Sequence, residues 1–301
     1  MNTLKQIVMQ EANEERFSRK FIDGYISEDI RDNPETQAMI QHGVELLEKY
    51  AEGDYYASKM KRIAQLNGLD FETLVTDIFV GICYCQREEQ FSSVAAQMAS
   101  RLKFSDRVEA VTTVAEILAT LCLTDAFDIL KATKSSSLVI VSRIKLTKKT
   151  KDFVAHSLYL PPMVCQPQKL TSNYSSAYLT HNDSLILGQN NHHSGDICLD
   201  VLNLMNAVPL KLNTEFLSSV EEEPTFERDT QAQIDLWSDF KKQSYSFYSL
   251  IVNQGNEFYL THKVDKRGRI YSCGYHINTQ GTPFKKACIE LSQEELITGV
   301  P

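Results

Sequence analysis

The sequence predicts a mainly α N-terminal region joined to a small α+β part. Three observations carry this. Apolar residues recur at three- and four-residue spacing through roughly the first 130 positions, the rhythm of helices that bury one face. The β-branched run Leu138-Val139-Ile140-Val141 interrupts that rhythm. Near the other end, positions 257–264 and 270–275, rich in aromatic and β-branched residues, flank a short polar turn.

In order, Leu4, Ile7, Val8, Phe17, Phe21 and Tyr25 give helical spacing over 4–25. Asn33-Pro34 breaks the chain, and 35–50 reads as a second helix. Asp70 can cap a helix running to about Cys83, carrying Phe71, Leu74, Val75, Ile78 and Phe79. A shorter helix is expected over 92–102. Ser105 then caps a long one in which Val108, Val111, Val114, Ile117, Leu118, Leu121, Phe127 and Leu130 keep the rhythm. Positions 137–143 read as a strand, and 145–151 as a basic turn or helix start. Leu160-Pro161-Pro162-Met163 through Pro167 is extended and proline-punctuated. A helix is expected over 199–217, kinked or broken at Pro209. Trp237 lies in a helix with Ile234, Leu236, Phe240, Tyr245, Phe247 and Tyr248.

The 301 residues leave room for one large domain or two smaller ones. A hydrophobic content of 43% and a charged content of 23% fit a globular chain. No apolar run reaches the roughly 18 residues of a membrane span, and the start lacks the apolar core of a signal peptide. The seven cysteines are scattered and odd in number, which reads as reduced thiols in a cytoplasm. Cys83-Tyr84-Cys85 is too tight for the usual zinc spacings, and His192-His193 sits in a polar loop with no ligand set at spacing.

The turn itself carries the most specific signal. Asp265 at its first position and Gly268 three residues on suit a type I turn closed by a glycine of positive φ. The tip of the resulting hairpin presents Lys266, Arg267 and Arg269. Guanidinium forks on a stiff tip suit phosphates, because each can donate two parallel hydrogen bonds. The net charge of −8 has the wrong sign for a nucleic-acid protein taken whole, but it is unevenly distributed. Between 261 and 286, six basic residues face one acid. Between 131 and 151 there are seven and none. Acids collect at Glu11, Glu14, Glu15 and at Glu221-Glu222-Glu223. Two basic islands on an acidic body suit local contact with nucleic acid.

These residues resemble the single-subunit phage and mitochondrial RNA polymerases of the T-seven type. The palm of that family opens on Thr or Asp, two residues, Gly-Arg, an aliphatic residue and Tyr. It continues into an Asn-x-Gln-Gly turn, a lysine and an apolar helix. Here the parts are Asp265, Gly268-Arg269, Ile270-Tyr271, Asn278, Gln280-Gly281, Lys286 and the helix after it, with the Gly-Arg to Gln-Gly spacing one residue longer. Looser likenesses run in order along most of the chain: Glu15 to Phe21, the proline-rich stretch, and the asparagines of the 199–217 helix. A family hairpin near 137–151 helps separate DNA strands, but the residues here do not carry that role over.

The resemblance implies a T-seven-like fold: a mostly helical N-terminal domain over 1–224, a reduced thumb over 225–255, and the first palm strands over 256–301. It implies nucleic-acid contacts at Asp265, Arg267, Gly268, Arg269, Tyr271, Gln280, Gly281 and Lys286. In the family, two metal ions held by two palm aspartates carry out nucleotidyl transfer. The first aspartate lies well after Gly-Arg, and the second sits in a His-Asp-Ser motif. His181-Asn182-Asp183-Ser184 is interrupted by an asparagine and precedes the turn, and the finger helix has no counterpart. The expectation is a polymerase split over two polypeptides, similar to the heterodimeric enzyme of N-four-like phages, with this chain resembling the small subunit. The catalytic residues and the Mg2+ ligands would then lie on a large subunit carrying palm and fingers, and the isolated chain would be inactive. Expected partners are that subunit, the DNA template, the RNA–DNA hybrid and an accessory protein for promoter recruitment, in the cytoplasm of an infected bacterial host. The alternative is a non-catalytic nucleic-acid-binding transcription accessory protein.

Overall fold

The computed structural model describes residues 2–132, 136–156, 159–188 and 193–293. Two compact units form: Arg19–Ala155, and Met1–Ser18 together with His156–Pro301. The boundary expected at 224 therefore falls inside a unit. The first helix, α1 (Leu4–Arg16), folds with the C-terminal half.

Arg19–Ala155 contains α2 (Arg19–Asp32), α3 (Pro34–Glu52), α4 (Ala57–Ile63), α5 (Phe71–Ile82), α6 (Phe91–Met98), α7 (Arg107–Leu121) and α8 (Lys148–His156). With them is an antiparallel sheet of β1 (Glu89–Gln90), β2 (Phe127–Lys131) and β3 (Leu138–Ser142), in the order β1-β3-β2. Side-chain caps set the helix starts. Asn33 Oδ1 accepts from the Glu35 and Thr36 N–H groups, with Pro34 in the first turn where its missing N–H does no harm. Asp70 accepts from the Glu72 N–H. Helix α5 buries Leu74, Val75, Ile78 and Phe79 in a core shared with Ile22, Ile26, Ile40, Leu47, Ile117 and Leu118.

The long helix expected after Ser105 is shorter than its rhythm. Its cap is Asp106, whose carboxylate accepts from Val108 at 2.7 Å and Glu109 at 3.0 Å, and it stops at Leu121. Asp125 then takes a positive φ of 61°, which ends the helical run. Phe127 to Lys131 pairs residue for residue with β3. Five cross-strand partners outweigh a helical spacing that Phe127 and Leu130 satisfy by coincidence.

The other unit contains α1, α9 (Leu199–Asn206), β4 (Leu210–Leu212), α10 (Thr214–Ser219), α11 (Gln231–Asn253), β5 (His262–Val264), β6 (Ile270–Ser272), α12 (Pro283–Ala287) and β7 (Ile289–Leu291). Strands pair as two antiparallel ribbons, β4–β7 and β5–β6. Val164, Leu210, Leu212, Phe247, Tyr248, Ile251, Phe258, Leu260 and Ile277 form one core. The expected 199–217 helix breaks before Pro209, and the next residues become β4. The apolar residues after Lys286, expected to be helical, form β7 instead, because Ile289 to Leu291 finds β4 as a partner. Positions 225–255, expected as a reduced thumb, hold one helix, α11. Thr230 and Gln233 cap it reciprocally, and its last turns bury Ser244, Phe247, Tyr248 and Ile251.

Helix α1 reverses the expected face. Leu4 and Val8 are exposed, while Gln10, Asn13 and Glu14 are buried. Gln10 Oε1 accepts from the Val164 N–H at 2.9 Å. Asn13 and Gln254 exchange two amide hydrogen bonds of 2.8 and 3.0 Å. The Glu14 carboxylate accepts the N–H groups of Leu179, Thr180 and His181 at 2.9, 2.6 and 3.0 Å, and the Thr180 hydroxyl at 2.7 Å. Burial acts to raise the Glu14 pKa, but hydrogen bonds from Gln10, Leu179 and Thr180 outweigh it and hold the carboxyl below its ordinary value.

Candidate nucleic-acid interface

The hairpin predicted from Asp265 and Gly268 is present. The Asp265 N–H donates to Arg269 O at 2.9 Å and the Gly268 N–H to Asp265 O at 3.0 Å, with Gly268 at φ +80°. An L-side chain would be strained there, which is why the turn takes glycine. The paired strands are shorter than the expected runs, three residues each.

One carboxylate organises the tip. Asp265 Oδ1 accepts the backbone N–H of Arg267 at 2.9 Å and of Arg269 at 3.0 Å. Its Oδ2 accepts Arg269 Nε and Nη2, both at 2.7 Å, and Arg267 Nε at 3.3 Å, with the Tyr271 hydroxyl at 3.4 Å. The Arg269 N–H first, then the Arg269 side chain, hold the Asp265 carboxyl below its ordinary value, and the Asp265 carboxylate in turn raises Arg269. Asp265 is 14% exposed, whereas the side chains of Arg267 and Arg269 are 71% and 53% exposed. Two guanidiniums thus share one carboxylate and keep most of their surface in solvent. Lys266 is exposed beside them.

Both edges of the ribbon are occupied. On the β5 side the Val264 N–H donates to Leu185 O and the Leu187 N–H to Val264 O, each at 2.9 Å. On the β6 side the Gln280 side chain takes the place of a strand: its Oε1 accepts the Ser272 N–H at 2.9 Å and its Nε2 donates to Ile270 O at 3.2 Å. Asn278 Nδ2 donates to Ser272 O and Gly274 O, and its Oδ1 accepts the Gln280 N–H. The Gly281 N–H closes the turn on Asn278 O. Gln280, expected as a contact to nucleic acid, thus has both ends of its amide engaged within the chain.

Lys286 is exposed in the last turn of α12. Its neighbour Lys285 is the buried one. The Lys285 Nζ donates to Tyr275 O at 2.6 Å and lies over the rings of Tyr275 and Phe240, and burial lowers its pKa. Sequence reasoning missed Lys285, and also Asp183, whose Oδ1 meets Lys263 Nζ at 2.7 Å across 80 positions of sequence. Nothing local marks either residue.

In the other basic island, Arg143 and Lys145 are met by acids. Arg143 Nε meets Asp128 at 2.7 Å and its Nη1 lies 3.9 Å from Asp125. Lys145 meets Glu35 at 2.8 Å, and Asp29 accepts the Thr147 N–H at 2.7 Å. Lys149 lies over the Tyr25 ring. Lys134, His192 and positions 294–301 of the expected palm segment lie outside the described residues. His193 Nδ1 accepts the Gly195 N–H.

Among the described residues, no three His, Cys, Asp or Glu side chains stand together as a metal-holding group. No helix among them is long and apolar enough to cross a membrane.

No family model matches the chain. A protein of Gelasinospora sp. (strain G114) named "Probable DNA-directed RNA polymerase" is 28% identical over 167 residues, which cover 49% of this chain and 19% of that protein. The chain is thus a distant, partial relative of a protein so named, and it spans about a fifth of that protein's length.

Proposed function

We propose that this chain is the small subunit of a two-chain phage DNA-directed RNA polymerase, and that its β5–β6 hairpin holds the backbone of the template or the RNA–DNA hybrid. The observation that carries this is the tip, where Asp265 orients two arginines it cannot neutralise. The carboxylate takes the Nε edges, so the remaining N–H groups are left for phosphate oxygens. Pre-ordering of those side chains lowers the entropy lost on binding. Similarity to a protein named as an RNA polymerase supports the RNA-polymerase part of this reading. In this reading α11 is the reduced thumb, and a larger chain brings the carboxylates and Mg2+ that perform nucleotidyl transfer.

The test is reconstitution on a preformed RNA–DNA scaffold. The chain alone should bind the scaffold in a salt-dependent manner without extending it. Extension should require a larger chain that co-purifies with it. Hybrid binding with no such partner would favour the accessory-protein reading, and no hybrid binding at all would remove both.

A further inference from the structure

We infer that Gln280 is a positioning residue: its side chain acts as a one-residue strand that fixes in register the strand β6 that directly follows Arg269. This rests on the nucleic-acid reading of the hairpin.

In an antiparallel ribbon, alternate residues direct their N–H and C=O groups toward the partner strand and the rest direct them away. Arg269 O and the Cys273 N–H face the β5 side, bonding Asp265 N–H and Thr261 O. Ile270 O and the Ser272 N–H, between them, therefore point outward. Those are the two groups that Gln280 binds, one with its donor and one with its acceptor. A carboxamide carries both functions at the spacing of a peptide group, which neither Glu nor Met reproduces. The Gln280 backbone is itself held, because Asn278 Oδ1 accepts its N–H while Asn278 Nδ2 donates to Ser272 O and Gly274 O. Gly274, at φ +132°, leaves no room for a Cβ, which would collide with Ile277 O. The turn from Asn278 to Gly281 is thus a clamp on the outer edge of the ribbon.

The clamp has two effects. It closes an edge that would otherwise be open to pairing with another chain. It also fixes the strand that carries Tyr271 and directly follows Arg269, and both residues meet Asp265. A loose β6 would let Arg269 swing away from the carboxylate that aims it.

The experiment combines amide hydrogen exchange with a double-mutant cycle on a fluorescein-labelled RNA–DNA hybrid, using the full chain. Gln280→Met keeps length and removes both hydrogen bonds, and Gln280→Ala is the second variant. Protection of the Ser272 N–H should fall by about ten-fold or more while the melting temperature barely moves, since the opening is local. Hybrid affinity should fall by roughly three- to ten-fold, and this loss should vanish in an Arg269→Ala background, because the two residues act through one contact. Retained Ser272 protection would overturn the proposal whatever the binding shows. Losses that simply add would overturn it in favour of direct contact between Gln280 and the hybrid. If Arg269→Ala binds hybrid as well as the unaltered chain, the nucleic-acid reading itself fails, and lost Ser272 protection then leaves Gln280 as a strand clamp with no part in binding.

Discussion

The tip of the β5–β6 hairpin and the basic stretch around Arg143 look alike as charge runs, yet they are opposite as sites. At the hairpin, Arg267 and Arg269 share the single carboxylate of Asp265. At the base of the β2–β3 hairpin, Arg143 and Lys145 meet Asp125, Asp128 and Glu35, with Asp29 on the adjacent backbone. Two cations there meet three carboxylates. Side-chain exposure does not separate the regions, since Arg143 and Arg269 are both 53% exposed. What separates them is how many acids each cation shares. A polyanion would gain a net positive field at the first region and meet compensated charge at the second.

That contrast is open to direct attack. The largest expected effect is Arg269→Ala, which should weaken hybrid binding about ten- to a hundred-fold by removing a charge-assisted hydrogen bond. Arg143→Ala should stay within about two-fold of the unaltered chain by fluorescence anisotropy. The reverse ranking would break the comparison.

Next comes salt dependence. Replacing Arg267 or Lys266 by alanine should flatten the plot of log affinity against log salt by about 0.9 for each phosphate no longer neutralised. Lys145→Ala should leave the slope in place, because its charge is already met by Glu35. An equal change in slope at both regions would mean that the Glu35 pairing gives way to phosphate.

A few-fold effect is expected for Asp265→Asn, which keeps shape but cannot orient both guanidiniums. The pH profile sharpens this. The folded pKa of Asp265 lies below the ordinary 3.8, so its contribution to stability is fully present above 3.8 and is lost as pH falls through the lower folded value. Thermal melts of the unaltered chain and Asp265→Asn should differ by a constant amount at neutral pH and converge in acid. Convergence on raising the pH instead would contradict the assigned ionisation.

The smallest effect is expected at the helix cap. Thr230→Ala should cost about 1 kcal/mol or less at the solvent-exposed start of α11, read as a small fall in melting temperature. Hybrid affinity should not follow it if the hairpin, and not α11, carries most of the hold.

Local chemistry was legible in the sequence, and pairing at a distance was not. Asn33-Pro34 and Asp70 announce helix starts because their partners lie within three residues. Asp265 and Gly268 announce the turn for the same reason. The candidate arginines could therefore be named, but not the sharing of Asp265 between them or the engagement of Gln280 with β6. Leu210 to Leu212 and Ile289 to Leu291 become strands only through each other, across almost 80 positions of sequence. Phe127 and Leu130 mimic a helix until β3 is present. Helix α1 misled most, because the donors that make Gln10 and Glu14 interior residues belong to Val164 and to Leu179, Thr180 and His181.

That docking of α1 also sets a timetable. Its partners are made 154 to 251 residues after it. At ~5–20 residues per second, the helix waits on the order of ten to fifty seconds on the ribosome before it has anywhere to go. The contiguous stretch Arg19–Ala155 is complete before any of these partners is made and can close first. A helix made before the Arg19–Ala155 stretch thus settles after it. Glutamine, asparagine and glutamate on its docking face lend that contact directionality, and three backbone amides recognise the helix when they finally appear.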